Sequence, residues 1–377
     1  MDTITLRRTW AEIDLEALAH NYQQIRNHIP SATKFCGVVK ADAYGHGAVQ
    51  VATKLEALGA DYLAVATFEE AKELRLNGIK CPILVLGHTP IELTKALIEY
   101  DITQAVASQA KAEAFSSAAV TCGKTLKVHI KVDSGMTRIG FRLFGKQEET
   151  INAIEKACRL PNLYAEGIFT HFAVSDEASA ESVAYTKTQL SAFKQAILEL
   201  ETRNVSFEIR HCANSGAIAS HKEAHMDMVR AGIILYGAGD GAKALNMKSV
   251  MKLKTCIYDI RTIEQGADIG YGRTFSAKKP LRIGVLPVGY ADGLDRNGSN
   301  RLRVWTKQGS VPIVGRICMD MTMVDLTAVQ DVREGDEVEI FGVHQTVNEV
   351  ANIVGTIPHT PLCAVSKRVP RVYKAQE

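Results

Sequence analysis

Between residues 36 and 236 the chain repeats one pattern, a short β-branched run followed by an amphipathic helical stretch. The runs are FCGVV (35–39), YLAVA (62–66), PILVLG (82–87), ITQAVA (102–107), LKVHIKV (126–132), LYAEGIFTHF (163–172), FEIRHC (207–212) and MVRAGIILYG (228–237). Helix-like segments lie between them at 47–58, 68–77, 91–99, 108–119, 145–158 and 180–201, and Thr67-x-x-Glu70 reads as a capping box for the segment 68–77. Eight strands separated by helices predict a parallel (β/α)8 barrel. An open doubly wound sheet is the rival architecture. The lack of a G-x-G-x-x-G fingerprint after the first run weighs against it.

After about residue 245 the texture changes. KLKTCIYDI, RIGVLPVGY, RLRVWT, SVPIVGRI, MTMVDL and DEVEIFG follow one another closely, with turn signals at Gln265-Gly266, Asn297-Gly298, Gln308-Gly309 and Glu334-Gly335-Asp336. Helical periodicity returns only at about 346–354. The pattern predicts a second, all-β domain. The boundary falls in 238–249, AGDGAKALNMKS, so the division is 1–243 for the barrel and 244–377 for the β domain. Residues 1–10 precede the barrel pattern and leave room for a strand donated to the β domain.

Composition narrows the function class. Hydrophobic residues make up 46% and charged residues 23% of 377, with a net charge of +2, as in an ordinary soluble globular protein. No long basic run and no aromatics interleaved with Arg or Lys suggest a nucleic-acid partner; RLR and KRVPR are short clusters. The eight cysteines (36, 81, 122, 158, 212, 256, 318 and 363) form no C-x-x-C and no Cys/His pairs, which argues against zinc and against a disulfide framework. Eight thiols suit a reducing cytoplasm. The first residues, MDTITLRRTWAEIDL, carry no signal-peptide core, and no apolar run approaches the ~20 residues of a membrane span.

The polar residues cluster by position. Lys40 follows the first run, inside VVKADAYGHGA (38–48), with Tyr44, Gly45, His46 and Gly47 just beyond it. A lysine at a strand's C-terminal end can enter a pocket where desolvation lowers its pKa and frees the amine as a Schiff-base nucleophile. The two glycines would let backbone approach a bound group such as a phosphate. Alone, such a lysine is more often a structural ion-pair partner. Other runs end in KVDSGMTRIG (Lys131, Asp133, Arg138), THF (His171) and HCANSGA (His211, Asn214, Ser215), and the last carries Arg230 and ends in Tyr236-Gly237. A strand-end histidine is usually a satisfied core residue, and Asn-Ser-Gly is usually a turn or helix cap. In a barrel, all these residues converge on the mouth that holds the active site.

VVKADAYGHGA, KVDSGMTRIG, HFAVSD, HCANSGA, MVRAGIILYG, GYGRTF, VGYADG, GRICMDM and RVPR closely resemble, in order and spacing, blocks of the alanine racemase family, which uses pyridoxal 5'-phosphate (PLP). The resemblance runs from RRTWAEIDLEAL at 8–18 to the C-terminus. It implies interconversion of L- and D-alanine, supplying D-alanine for peptidoglycan, in a homodimer whose sites use both chains. It implies that Lys40 holds PLP and serves as one base, and that Tyr271 reaches in from the partner as the second. His171 would bond that tyrosine, and Arg230 would face the pyridine nitrogen. Tyr44, Ser215 and the backbone at Gly232 and Ile233 would hold the phosphate, with Asn214 and Tyr236 among the cofactor contacts. Arg138 would contact the PLP phenolic oxygen and the substrate, and Lys131 would carry a carbamate that orients it. Met319 and Asp320 would meet the substrate carboxylate.

One departure stands out. Many family members have a tyrosine three residues before the proline of RVPR, where this chain has Lys367, which puts substrate choice in doubt. A serine or broad-specificity racemase of the same fold is the nearest alternative. The PLP-dependent decarboxylase barrels use a catalytic cysteine and a Gly-rich phosphate loop not found here; Cys318 reads as a pocket wall. The small PLP-homeostasis barrels lack a β domain.

Overall fold

The computed structural model describes residues 8–374. Its first strand, β1 (Thr9–Ile13), leads into a helix, Leu15–His28, whose Asp14 side chain accepts from the amides of Glu16 and Ala17. Then come the barrel strands: β2 (Lys34–Val38), β3 (Tyr62–Val65), β4 (Ile83–Val85), β5 (Ile102–Val106) and β6 (Leu126–Asp133). A two-residue spur, β7 (Phe141–Arg142), pairs with the end of β6, and β8 (Leu163–Phe169), β9 (Ile209–His211) and β10 (Met228–Ala231) complete the set. Each of the eight runs yields one strand, and all pair in parallel in the order β10-β2-β3-β4-β5-β6-β8-β9. Asp227 N donates to Arg210 O (3.1 Å) and Arg230 N to Ala213 O (3.0 Å), which draws the last strand toward β9 and nearly closes the barrel.

The helices follow the sequence pattern. Phe68–Leu76 begins with the Thr67/Glu70 capping box, and Ala180–Thr202 is the longest. One run divides differently from its hydrophobic pattern. MVRAGIILYG forms a strand only to Ala231 and then a 3₁₀ turn, Ile233–Tyr236, because the chain breaks at Gly232. Tyr236 therefore does not end a strand.

The β-rich part begins with β11 (Met251–Cys256), β12 (Asp259–Ile263), β13 (Asp268–Ile269), β14 (Phe275–Ser276) and β15 (Leu281–Leu286). It continues with β16 (Arg303–Thr306), β17 (Gly309–Pro312), β18 (Thr322–Asp325), β19 (Glu337–Phe341) and β20 (Arg371–Tyr373). Its main sheet runs β17-β16-β19-β11-β1-β20, so β1 sits between β11 and β20 rather than in the barrel; residues 1–7 lie outside the described residues. A three-stranded sheet, β12-β15-β18, lies beside it, with a capped helix at Val347–Val354. Buried apolar side chains from Ala11 to Val369 form one contiguous core across both parts. None of the helices among the described residues is long and apolar enough to cross a membrane.

Candidate active site

Lys40 lies two residues beyond β2, at the start of an unusual turn. Ala41, Asp42, Ala43 and Tyr44 all adopt left-handed φ, at 52°, 54°, 51° and 54°. For residues with a Cβ this costs about 1–2 kcal/mol each, so the turn needs outside support. Ala41 N donates to Glu70 Oε1 (2.6 Å), while the other oxygen of Glu70 accepts from Ala66 N (2.7 Å). Asp42 Oδ1 accepts from Ala48 N (2.7 Å). The C-terminal segment clamps the far side, with Arg371 Nε donating to Gly45 O (2.9 Å) and Tyr373 Oη to His46 O (3.1 Å).

Gly45 and Gly47 therefore do not line a ligand site. Both have positive φ, and a Cβ would lie 2.3 Å from Leu362 O at Gly45 and 1.8 Å from Tyr373 Oη at Gly47. Their missing side chains admit the chain's own C-terminal segment.

The glycine that opens space in the pocket is Gly232. A Cβ there would stand 2.8 Å from Tyr44 Oη and 3.4 Å from Ser215 Oγ. Ser215 Oγ accepts from Gly232 N (3.1 Å) and Ile234 N (3.4 Å). The Ile233 amide, between them, has no partner among the described residues. Two hydroxyls and a free amide around a bare Cα suit a small anionic group. Asn214 caps the helix Ser215–Ser220, its Oδ1 accepting from Ala217 N (3.1 Å) and Ser175 Oγ (2.6 Å), so only its amide nitrogen is left for other contacts. The Tyr236 hydroxyl donates to Val38 O (2.8 Å), and its ring packs beside Tyr44 with centroids 5.0 Å apart.

Cations crowd the mouth. The Lys40 amine is pushed below its ordinary value by burial and by the charges of Arg138 and Arg230. Lys131 is buried on β6, donates to Val132 O (2.8 Å) and lies over the Phe169 ring; burial and Arg230 lower it to about 7. Arg138 is exposed at the rim. Arg230 is 3% exposed and touches no carboxylate among the described residues. It donates to His211 Nδ1 (2.9 Å), Thr170 O (2.9 Å), His171 Nδ1 (3.2 Å) and Cys212 O (3.2 Å). A guanidinium only donates. His171 Nδ1 must therefore accept, which leaves its proton on Nε2.

Tyr271, Met319 and Asp320 lie apart from this cluster. They line a groove of about 760 Å³ in the β-rich part, walled by Ile263, Ile269, Ile283 and Met323. Tyr271 is 69% and Met319 52% exposed. No hydrogen bond, ion pair or ring contact among the described residues links them to Lys40. Asp320 instead pairs with Arg368 (2.7 Å). Lys367 is exposed, with no partner among the described residues. No group of histidine, cysteine or carboxylate side chains among the described residues could hold a metal.

The alanine racemase N-terminal domain model matches residues 13–240, and the alanine racemase C-terminal domain model matches 250–373. The chain belongs to the alanine racemase family. An alanine racemase of Clostridium acetobutylicum is 45% identical, over 98% of this chain and 96% of its own length. The solved alanine racemase of Clostridium difficile superposes with a TM-score of 0.91 at 42% identity, covering 97% of this chain and 95% of that one. That of Bartonella henselae, with covalently bound pyridoxal phosphate, does so at 0.88 and 30%, covering 97% and 99%. The activity is accordingly alanine racemisation, an isomerisation at an amino-acid Cα.

Some residues that support this racemase's mouth escape a reading of the sequence. Glu70 is legible as a cap but not as the brace of Ala41. Arg371 and Tyr373 give no local signal. His129 and Glu166, described below, are signalled only by being polar within apolar strands, with His129 two residues before Lys131 on the same strand face.

Proposed function

We propose that the chain holds PLP on Lys40 and racemises alanine between two opposed proton carriers, Lys40 Nζ and the hydroxyl of Tyr271 of the partner subunit, in a cytoplasmic homodimer. The observation that carries the reading is the pairing of a depressed Lys40 amine with the Tyr44, Ser215 and Gly232 cradle at one barrel mouth, while Tyr271 is exposed elsewhere on the same chain. A tyrosine so exposed is available to a second copy. The proposed division at 1–243 and 244–377 draws support from the two separately matched family segments, with β1 as the exception that joins the β-rich sheet.

When bound, PLP supplies the electron sink that makes the substrate Cα acidic. The protein supplies the rest. Racemisation requires a proton removed from one face and returned on the other. Lys40 Nζ, driven toward its neutral form by burial and neighbouring cations, takes or gives the proton on its face. Tyr271 serves the opposite face. A phenol near pKa ~10 is a poor base unless a donor stabilises its anion, and the Nε2–H of His171 is the donor on offer. Arg230 offers the ring nitrogen a donor and no acceptor, which leaves the sink weak and favours prompt return of the proton. Its Nε has no partner among the described residues. Tyr44, Ser215 and the free amide of Ile233 would hold the phosphate, in the space left by the missing side chain of Gly232. Arg138 would contact the phenolic oxygen, oriented by a carbamate on Lys131. The amide of Met319, with Asp320 beside it, would serve the substrate carboxylate end of the partner's site.

The test is a chiral assay of the purified protein with added PLP, offered L-alanine and L-serine separately at equal concentration. Alanine is expected to racemise well ahead of serine. Comparable serine turnover would replace the alanine reading with broad specificity set at Lys367, and no turnover of either would refute the proposal.

A further inference from the structure

A chain of buried polar groups runs from Arg230 down through the barrel, away from the mouth. Arg230 Nη1 donates to His211 Nδ1 (2.9 Å), His211 Nε2 meets His129 Nδ1 (2.9 Å), and His129 Nε2 meets Glu166 Oε2 (3.1 Å). Tyr62 Oη donates to the same carboxylate oxygen (2.5 Å). Both histidines are fully buried, and the Glu166 side chain is 15% exposed.

The direction of every bond is forced. Arg230 can only donate and an ionised carboxylate can only accept. His211 Nδ1 must therefore accept, so its proton sits on Nε2 and is donated to His129 Nδ1. His129 then carries its own proton on Nε2 and donates it to Glu166. Burial lowers both imidazoles and keeps them neutral, while the His129 and Tyr62 hydrogen bonds keep Glu166 ionised. The result is a one-way chain with a cation at one end and an anion at the other.

The backbone is shaped around it. In the β6–β8 ladder Val128 faces Ala165 and His129 faces Gly167, so Glu166 is the extra residue of a β-bulge. A bulge re-aims a side chain that the regular pleat would send elsewhere. A Cβ on Gly167 would lie 2.7 Å from the His129 ring, so only glycine leaves that ring its place. Phe169 stacks on His211 at 4.8 Å and 10° and fixes its plane.

We infer that Glu166, His129 and His211 form a positioning relay that aims Arg230 at the cofactor and supplies, through two imidazoles, the counter-charge Arg230 has no direct contact with. A buried guanidinium without a carboxylate neighbour is costly. The relay presents it with an imidazole lone pair polarised by Glu166 and rules out the tautomer that would point an N–H at it. This rests on the reading that Arg230 faces the cofactor ring, so the test separates the two.

The holoenzyme would be compared with Glu166→Leu, which removes the terminal acceptor, Glu166→Gln, which keeps a carbonyl acceptor, and Arg230→Gln. Three quantities are read: the visible spectrum of the bound cofactor, the imidazole nitrogen resonances, and kcat and KM separately. Glu166→Leu should change the spectrum, shift the His129 and His211 imidazole resonances by leaving the His129 Nε2–H without its acceptor, and lower kcat by about tenfold with KM for alanine little changed, the scale seen when residues that orient a reactive ligand are removed. Glu166→Gln should restore most of each. A Glu166→Leu enzyme that melts lower but keeps the wild-type spectrum, imidazole resonances and kcat would overturn the relay, as would equal losses in the Leu and Gln variants. If Arg230→Gln leaves the spectrum unchanged, the placement of Arg230 itself is refuted. If Arg230→Gln changes it and Glu166→Leu does not, only the relay is refuted.

Discussion

Lys131 shows how one buried side chain can tie stability to pH. Its amine is lowered to about 7 by burial and by Arg230. Each unit of depression is worth about 1.4 kcal/mol. A lysine depressed in the fold binds its proton more tightly when unfolded, so its penalty is full below the folded value and is relieved as pH rises toward the ordinary lysine value. In carbon dioxide-free buffer, Lys131→Met should therefore melt higher than wild type near about pH 6, with the gap narrowing above about pH 7 and closing only near the ordinary lysine value of about 10.4. A gap independent of pH would refute the depressed amine. Gly232→Ala would put a methyl 2.8 Å from Tyr44 Oη in the proposed phosphate cradle. Overpacking of this kind costs about 1–3 kcal/mol. The loss should appear as weaker PLP binding, measured by cofactor titration of the apoprotein, more than as a lower melting temperature. Tyr271 is exposed and makes few contacts, so Tyr271→Phe should keep the wild-type melting temperature while kcat falls by about 10²-fold or more. Full activity would remove Tyr271 from the mechanism.

At the scale of elements, the left-handed turn after Lys40 is the costly feature. It is set by contacts on three sides: Glu70 from a capping box, Asp42 from within, and Arg371 and Tyr373 from the C-terminal strand. Ala41 has φ 52° and an exposed side chain. Glycine there would relieve about 1–2 kcal/mol of strain against about 0.4–1 kcal/mol of added unfolded-state entropy. Ala41→Gly should thus melt slightly higher than wild type. A marked fall would mean the turn is not strained at that residue. The strand runs were legible because alternation and β-branching are local. The turn was not, because no local rule favours four left-handed residues with side chains, and VVKADAYGHGA reads as an ordinary loop. The same holds for MVRAGIILYG, where continuous hydrophobicity conceals the break at Gly232.

For the whole molecule, the groove holding Tyr271 and the mouth holding Lys40 are separate on one chain. If the site is composite, chains carrying Lys40→Ala and Tyr271→Phe should complement each other. Each alone would be inactive, and a randomised mixture of symmetric dimers should recover about a quarter of wild-type activity, since half the dimers carry one intact site. No recovery after exchange would refute a shared site.

The sequence by itself determined the period of the barrel, the change to β structure after residue 245 and the kinds of residue at the mouth. These follow from alternation, turn chemistry and strand-end position, which neighbouring residues decide among themselves. Only the tertiary structure decided that β1 joins the distant sheet, that Gly45 and Gly47 face the C-terminal segment, and that a bulge turns Glu166 toward His129. Arg371 and Gly45, which share a hydrogen bond, are 326 residues apart. Contacts at that separation leave no periodic trace in either partner and exist only once the chain has packed.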